Sequence, residues 1–276
     1  SPTTQILFLS FNNSLMNFQG HYLICLTIST LYTLGGIGFL VLIDIKQNKR
    51  WSKLTPNSKL ILSTIAILNV VAFILIWLLE ANNPLTLGAM STGEQAMNAW
   101  FQATVPRSSG FNTIDTGAME HSTTLLTMLL MFIGGGSLST AGGIKVGTFV
   151  ILLLCVISFL RRNEEIRIFN HSISQETTYK ALAVAAITGM LIFVGCFTLF
   201  LLEPKLDVLD LMFEVVSAAC TVGLSRGVTG ELHDGSLFVL SLLMYTGRLG
   251  PLTLAYLIAT PKKSRLKHAN ANIQIG

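Results

Sequence analysis

The chain has 276 residues, 51% hydrophobic and only 12% charged. A mean hydropathy of +0.63, and a charged share well below the ~25% of soluble domains, exclude an ordinary soluble domain and point to a polytopic helical membrane protein. The net charge of +4 reads as membrane topology rather than as a nucleic-acid surface, and Cys25, Cys155, Cys196 and Cys220 lie in apolar surroundings without a CxxC pattern, as packing residues do.

The chain opens at Ser1 with no cleavable signal pattern, so a preceding segment is expected. Residues 1–20 are mixed and polar, an extramembrane approach. Residues 22–43 form the first apolar span; its Gly35, Gly36 and Gly38 read as close helix-packing positions. A charged connector follows, with Lys46, Lys49, Arg50, Lys53 and Lys59, then a span over 60–79. Ser91 with Glu94 three residues on is a capping-box pattern and starts a short helix over 92–103, which Pro106 ends.

Residues 122–160 are apolar for 39 positions. One helix of that length would reach roughly 58 Å against a ~30 Å hydrocarbon core. The segment is expected to break at Gly134-Gly135-Gly136-Ser137-Leu138-Ser139-Thr140-Ala141-Gly142-Gly143, a poor helix interior. Unwound backbone at that depth is tolerated when buried in protein or lining a wet cavity. After a basic connector, 161–180, come a span over 179–202 and a second short helix over 207–220 with Asp207 as N-cap. The turn Thr221-Val222-Gly223 follows, then a span over 237–260 and a basic tail.

The two halves repeat: span, polar loop, short helix, glycine turn, span. Gly110 and Gly223 occupy matching places, 113 residues apart. Such internal repeats are typical of transport proteins. The connectors assigned to one side hold thirteen of the eighteen lysines and arginines, which makes that side cytoplasmic. Both short helices then enter from outside with their carbonyl ends inward, an arrangement that favours a cation. The Thr221 turn resembles the filter of potassium channels, where backbone carbonyls replace the ion's water. Taken alone, a TVG triplet is weak evidence and reads first as an ordinary loop between two helices; the repeat raises it above that. No GxSxG, HExxH or P-loop is present, and the competing reading is a polytopic membrane enzyme or scaffold whose glycines only pack helices.

Residues 107–112 (RSSGFN), 134–145, 221–227 (TVGLSRG) and 245–251 (YTGRLGP), with the ending NIQIG, resemble the Trk/Ktr/HKT superfamily of potassium and sodium translocating proteins, and most of all the membrane subunit of bacterial Ktr systems. The resemblance implies an all-α membrane protein with four span–pore-helix–span repeats around one pore. Residues 1–56 would then end the second repeat, 57–165 form the third and 166–276 the fourth, with the first two filter turns missing. It implies passive potassium uptake across a bacterial plasma membrane, sodium stimulation or a sodium preference being open. Carbonyls of Ser108, Ser109, Gly110, Thr221, Val222 and Gly223 would ligate K+. Gly134, Gly135, Gly136, Ser137, Ser139, Thr140, Gly142 and Gly143 would form an intramembrane gating loop; otherwise the run is a packed broken helix. Arg248 would line the pore and either raise a barrier or hold the loop through its carbonyls, unless it serves a structural ion pair. Arg107 is expected to point behind its turn and brace it. Lys145 receives no role. The resemblance also implies a homodimer of membrane subunits on a cytosolic, KtrA-like nucleotide-binding ring, so that ATP or ADP would bind that partner and not this chain.

Overall fold

The computed structural model describes residues 14–250, apart from Ser108, Ser109, Leu138, Thr140, Asn163, Glu164 and Asn170. Among these residues are nine α-helices, four short 3-10 turns and one short hairpin. The first is α1, Tyr22–Ile37, followed by α2, Phe39–Gln47. The two meet at a 92° bend at Gly38, where φ is +95°. The expected span over 22–43 is thus a bent pair of helices, with Gly38 at the bend. A Cβ on Gly38 would overlap the carbonyl oxygen of Ser137, so the bend makes room for the glycine-rich loop.

Asp44, near the end of α2, accepts hydrogen bonds from the Thr55 backbone N–H at 3.0 Å and its hydroxyl at 2.8 Å. Thr55 in turn caps α3, Pro56–Glu80, which begins with proline at its first position. The short helix α4, Thr92–Thr104, starts at the expected capping box: the Glu94 carboxylate accepts from the Ser91 N–H at 3.0 Å and hydroxyl at 2.9 Å. The overlong apolar stretch is split into α5, His121–Phe132, and α6, Val146–Leu160, around the glycine run. Within the second basic connector lies an unforeseen hairpin, β1 Arg167–Ile168 paired antiparallel with β2 His171–Ser172, with Arg167 opposite Ser172. The remaining helices are α7, Gln175–Leu202, α8, Val208–Ala219, and α9, Asp234–Leu249. Asp207 caps α8 as expected, accepting from Leu209 N–H at 2.8 Å and Asp210 N–H at 3.3 Å. Of the last expected span, 251–260 lies outside the described residues.

Helices α3 and α7 are long and apolar enough to cross a bilayer, and the bent α1–α2 pair is a third candidate. Phe193, Phe197 and Leu201 on α7 remain exposed, as a lipid-facing surface requires. The short helices α4 and α8, 13 and 12 residues long, would reach only about 18–20 Å. Neither crosses. Their C-terminal halves are buried at the centre, and Phe101 and Phe213, with no exposed surface, belong to one core.

A shared device marks the two halves. Glu80 ends α3, and its carboxylate accepts the backbone N–H of Glu120, the N-cap of α5, at 2.9 Å. Glu203 follows α7, and its carboxylate accepts the N–H of His233, the N-cap of α9, at 2.8 Å. Both acids are buried. In each half, an acid at the end of the incoming span satisfies a donor at the start of the outgoing one, where negative charge is favoured.

Candidate functional site

The fourth turn is built by the way α8 ends. Thr221 N–H donates to Ala218 O at 3.0 Å and Val222 N–H to Ser217 O at 2.9 Å, the paired closure of a Schellman cap. That cap needs a left-handed residue, usually glycine. Here it is Thr221, with φ +51°, a β-branched residue where its side chain is crowded. Its hydroxyl oxygen is buried and unpartnered. The strain and the free hydroxyl together single this residue out from ordinary helix ends. Gly223 two residues on has φ +86° and Gly110 in the third turn has φ +64°.

The two turns meet. A Cβ on Gly110 would stand 3.0 Å from the carbonyl oxygen of Gly223 and 3.1 Å from that of Val222. Carbonyls of the fourth turn thus lie against the third glycine, with no side chain between them. Ser108 and Ser109 fall outside the described residues, so of the expected ligand set Gly110, Thr221, Val222 and Gly223 are brought together. Residues at the start of the described chain join them: Leu15 N–H donates to Asn112 O at 3.1 Å, and Asn112 N–H to the Ser14 hydroxyl at 3.1 Å. A cleft of about 480 Å³, lined by Gly110, Asp115, Gly223 and Ser225 among others, opens onto the pair of glycines.

Behind the fourth turn stand groups that the sequence did not reveal. Glu214, buried on α8, accepts a short hydrogen bond from the Ser225 hydroxyl. Arg226, whose side chain is 7% exposed, pairs with Asp210 at 2.5 Å. Its other nitrogens donate to Thr116 O at 2.9 Å, the Thr124 hydroxyl at 2.7 Å and Gly117 O at 3.0 Å. One guanidinium therefore ties the fourth turn to the loop and helix that follow the third. The arginine expected to brace, Arg107, is buried, but its Nε and Nη2 have no partner. Arg226 supplies a brace to the other turn. Its donor set was hidden in sequence because the partners lie more than a hundred positions away.

The glycine loop begins and ends together: Gly134 N–H donates to Ile144 O at 2.9 Å and Ile144 N–H to Phe132 O at 3.0 Å. One side leans on the bend between α1 and α2, where Gly136 N–H donates to Gly36 O at 2.7 Å. The other side reaches the base of the fourth turn. A Cβ on Gly142 would overlap the Cys220 carbonyl oxygen and crowd the Thr221 hydroxyl. Gly134, Gly135, Gly136, Ser137, Ser139, Gly142 and Gly143 all belong to this excursion, and Thr140 lies outside the described residues. Arg248 is exposed in the last turn of α9; among the described residues it makes no hydrogen bond to the loop. The ammonium of Lys145 does, donating to Ala141 O at 2.5 Å and Ser139 O at 3.4 Å.

The chain is similar to known proteins. A family model described as TrkH, cation transport protein, matches residues 48–267. The chain is 38% identical over 264 residues to the Ktr system potassium uptake protein B of Bacillus subtilis, covering 96% of this chain and 59% of that protein. It is 36% identical over 273 residues to the protein of the same name from Vibrio alginolyticus, covering 98% and 59%. It is 35% identical over 271 residues to the potassium/sodium uptake protein NtpJ of Enterococcus hirae, covering 96% and 60%. The chain thus spans about three-fifths of the length of these relatives. The crystal structure of the potassium transporter TrkH from Vibrio parahaemolyticus superposes with a TM-score of 0.76 at 20% identity, over 90% of this chain and 54% of that one, a likeness of fold. With a family model matching most of its length, the chain belongs to the TrkH family of cation transport proteins.

Proposed function

We propose that this chain forms the third and fourth quarters of a potassium-uptake pore in a bacterial plasma membrane, with ions moving passively down their gradient. The observation that carries the reading is the apposition of the Gly110 and Gly223 turns, each at left-handed φ and each in the same place within its repeat. Carbonyls gathered without intervening side chains can replace the hydration shell of K+. The carbonyl ends of α4 and α8 add partial negative charge nearby. The relatives' names as potassium uptake proteins support the ion. Two turns leave a ring open, so the whole transporter is this chain preceded by two further repeats, in keeping with the relatives' greater length. The glycine loop under the fourth turn acts as its gate. Membrane subunits pair as a homodimer and take regulation from a cytosolic nucleotide-binding ring, with ATP or ADP on that ring. The relative named for potassium and sodium uptake favours keeping sodium as a second transported or stimulating ion.

The test uses the whole transporter in proteoliposomes with rubidium and sodium tracers. Gly223→Asp should weaken potassium selectivity, because a side chain at that φ redirects the carbonyl. Unchanged affinity and selectivity would rule out ligation by this turn. Deleting residues 136–141 should raise flux; unchanged flux in a folded deletion would reduce the loop to packing.

A further inference from the structure

Lys145 lies between the glycine loop and α6, at the N-cap position. Helix formation does not account for it, since a cation at a helix N-terminus opposes the helix dipole, and an ionisable group at membrane depth is costly unless it has a task. Its hydrogen-bond partners define one. Ser139 and Ala141 supply the two carbonyls it holds. Ala141 immediately precedes Gly142, the residue that abuts the Cys220 carbonyl at the base of the fourth turn. The part of the loop that Lys145 grips is therefore the part that touches the filter.

We propose that Lys145 is the latch of the intramembrane loop: its ammonium holds the Ser139 and Ala141 carbonyls and keeps Gly142 seated under the fourth turn. The proposal rests on the reading of the loop as a gate. It makes Lys145 a positioning residue that never contacts the permeating ion. Opening then requires the ammonium to exchange those carbonyls for water or another acceptor.

The experiment compares the whole transporter with its Lys145→Met, Lys145→Gln and Lys145→Arg variants, with and without deletion of 136–141. It reads rubidium flux, and the rate at which a cytoplasmic thiol reagent modifies a cysteine placed at Ser139. Losing one charge-assisted hydrogen-bond donor should raise flux roughly tenfold in Lys145→Met. Labelling at position 139 should quicken in parallel, Lys145→Arg should recover part of the closed state, and the deletion should abolish any further effect of Lys145→Met. If deletion raises flux while Lys145→Met changes neither flux nor labelling, the latch is overturned and the gate stands. Higher flux without faster labelling also overturns it, since that is the mark of a mere electrostatic barrier. If deletion leaves flux unchanged, the gate reading fails, and labelling alone decides whether Lys145 holds the loop. Lys145→Gln gives the same readouts should the methionine variant not fold.

Discussion

In the later half of the chain, α8 closes in a hydrogen-bonded cap and α9 then runs from Asp234 to Leu249. In the earlier half, α4 gives way to a single 3-10 turn, Val105–Arg107, and the chain that follows is split between α5 and α6. The arginines differ in the same sense. Arg226, three residues after its glycine, is paired at every nitrogen, whereas Arg107, three before its own, leaves two unpaired. The turn after α8 is thus held by a hydrogen-bonded cap and a fully paired arginine, whereas the chain after α4 gives part of its length to the glycine loop. The two meet where Gly142 lies against the Cys220 carbonyl.

The largest test of that contrast removes the rigid brace. Arg226→Gln strands Asp210 and frees three acceptors in the third repeat. Breaking a buried pair from one side costs about 3 kcal/mol, so the thermal unfolding midpoint should fall clearly. Potassium-over-sodium selectivity should fall with it, as the turns lose their mutual alignment. Arg226→Lys keeps the charge but not the planar fork and should recover stability more than selectivity. Arg107→Gln should do far less, and an equal loss from the two would erase the asymmetry.

A second test strikes the junction. Gly142→Ala places a methyl group where the Cys220 carbonyl stands, and overpacking of this kind costs about 1–3 kcal/mol. The rigid cap of α8 should hold while the loop yields, so flux should rise with little change in selectivity. Lost selectivity at constant flux would mean that the cap had moved instead.

Much of this plan was legible in the sequence, for reasons that are local. The capping box of Ser91 and Glu94, the N-cap of Asp207 and the break over the glycine run depend on residues a few positions apart, and each formed as expected. The match of Gly110 with Gly223 came from counting positions. What escaped was everything set by distant partners. The bend at Gly38 is fixed by the Ser137 carbonyl, the brace at Arg226 by Thr116, Gly117 and Thr124, and the matched Glu80 and Glu203 by backbone donors 40 and 30 residues on. Lys145 could have been suspected from one local fact: a cation at the start of an apolar helix opposes its dipole.

A smaller effect sharpens the contrast at Thr221. Left-handed backbone costs an L-residue about 1–2 kcal/mol, so Thr221→Gly should relieve strain in the cap of α8. Glycine's greater freedom in the unfolded chain offsets roughly 0.5–1 kcal/mol of that gain. The net expectation is a fold equal to or slightly steadier than the parent, with weaker potassium selectivity because the buried hydroxyl is gone. Thr221→Ser retains the hydroxyl and should retain selectivity. If glycine preserves selectivity, the threonine serves only the cap.

The smallest effect is one of pH, and it belongs to the fourth repeat's copy of the shared acid. The Ser236 hydroxyl, at 2.6 Å, and the His233 backbone N–H hold the Glu203 carboxyl down at about 2. An unfolded chain would release that proton near ~4.3. Between those values the unfolded state binds more protons than the folded one, so stability falls as pH falls. The contribution is whole above about pH 4.3 and drains away as pH drops toward 2. Glu203→Gln cannot titrate. The gap in unfolding temperature between it and the parent should therefore be widest near neutrality and close through that acid window. Because Glu203 joins α7 to the start of α9, the change should be seen first as hydrogen exchange at the amides of 233–236, ahead of any exchange in the corresponding start of α5. Simultaneous exchange at both places would mean that acid acts on the two repeats as one unit rather than through this single carboxylate.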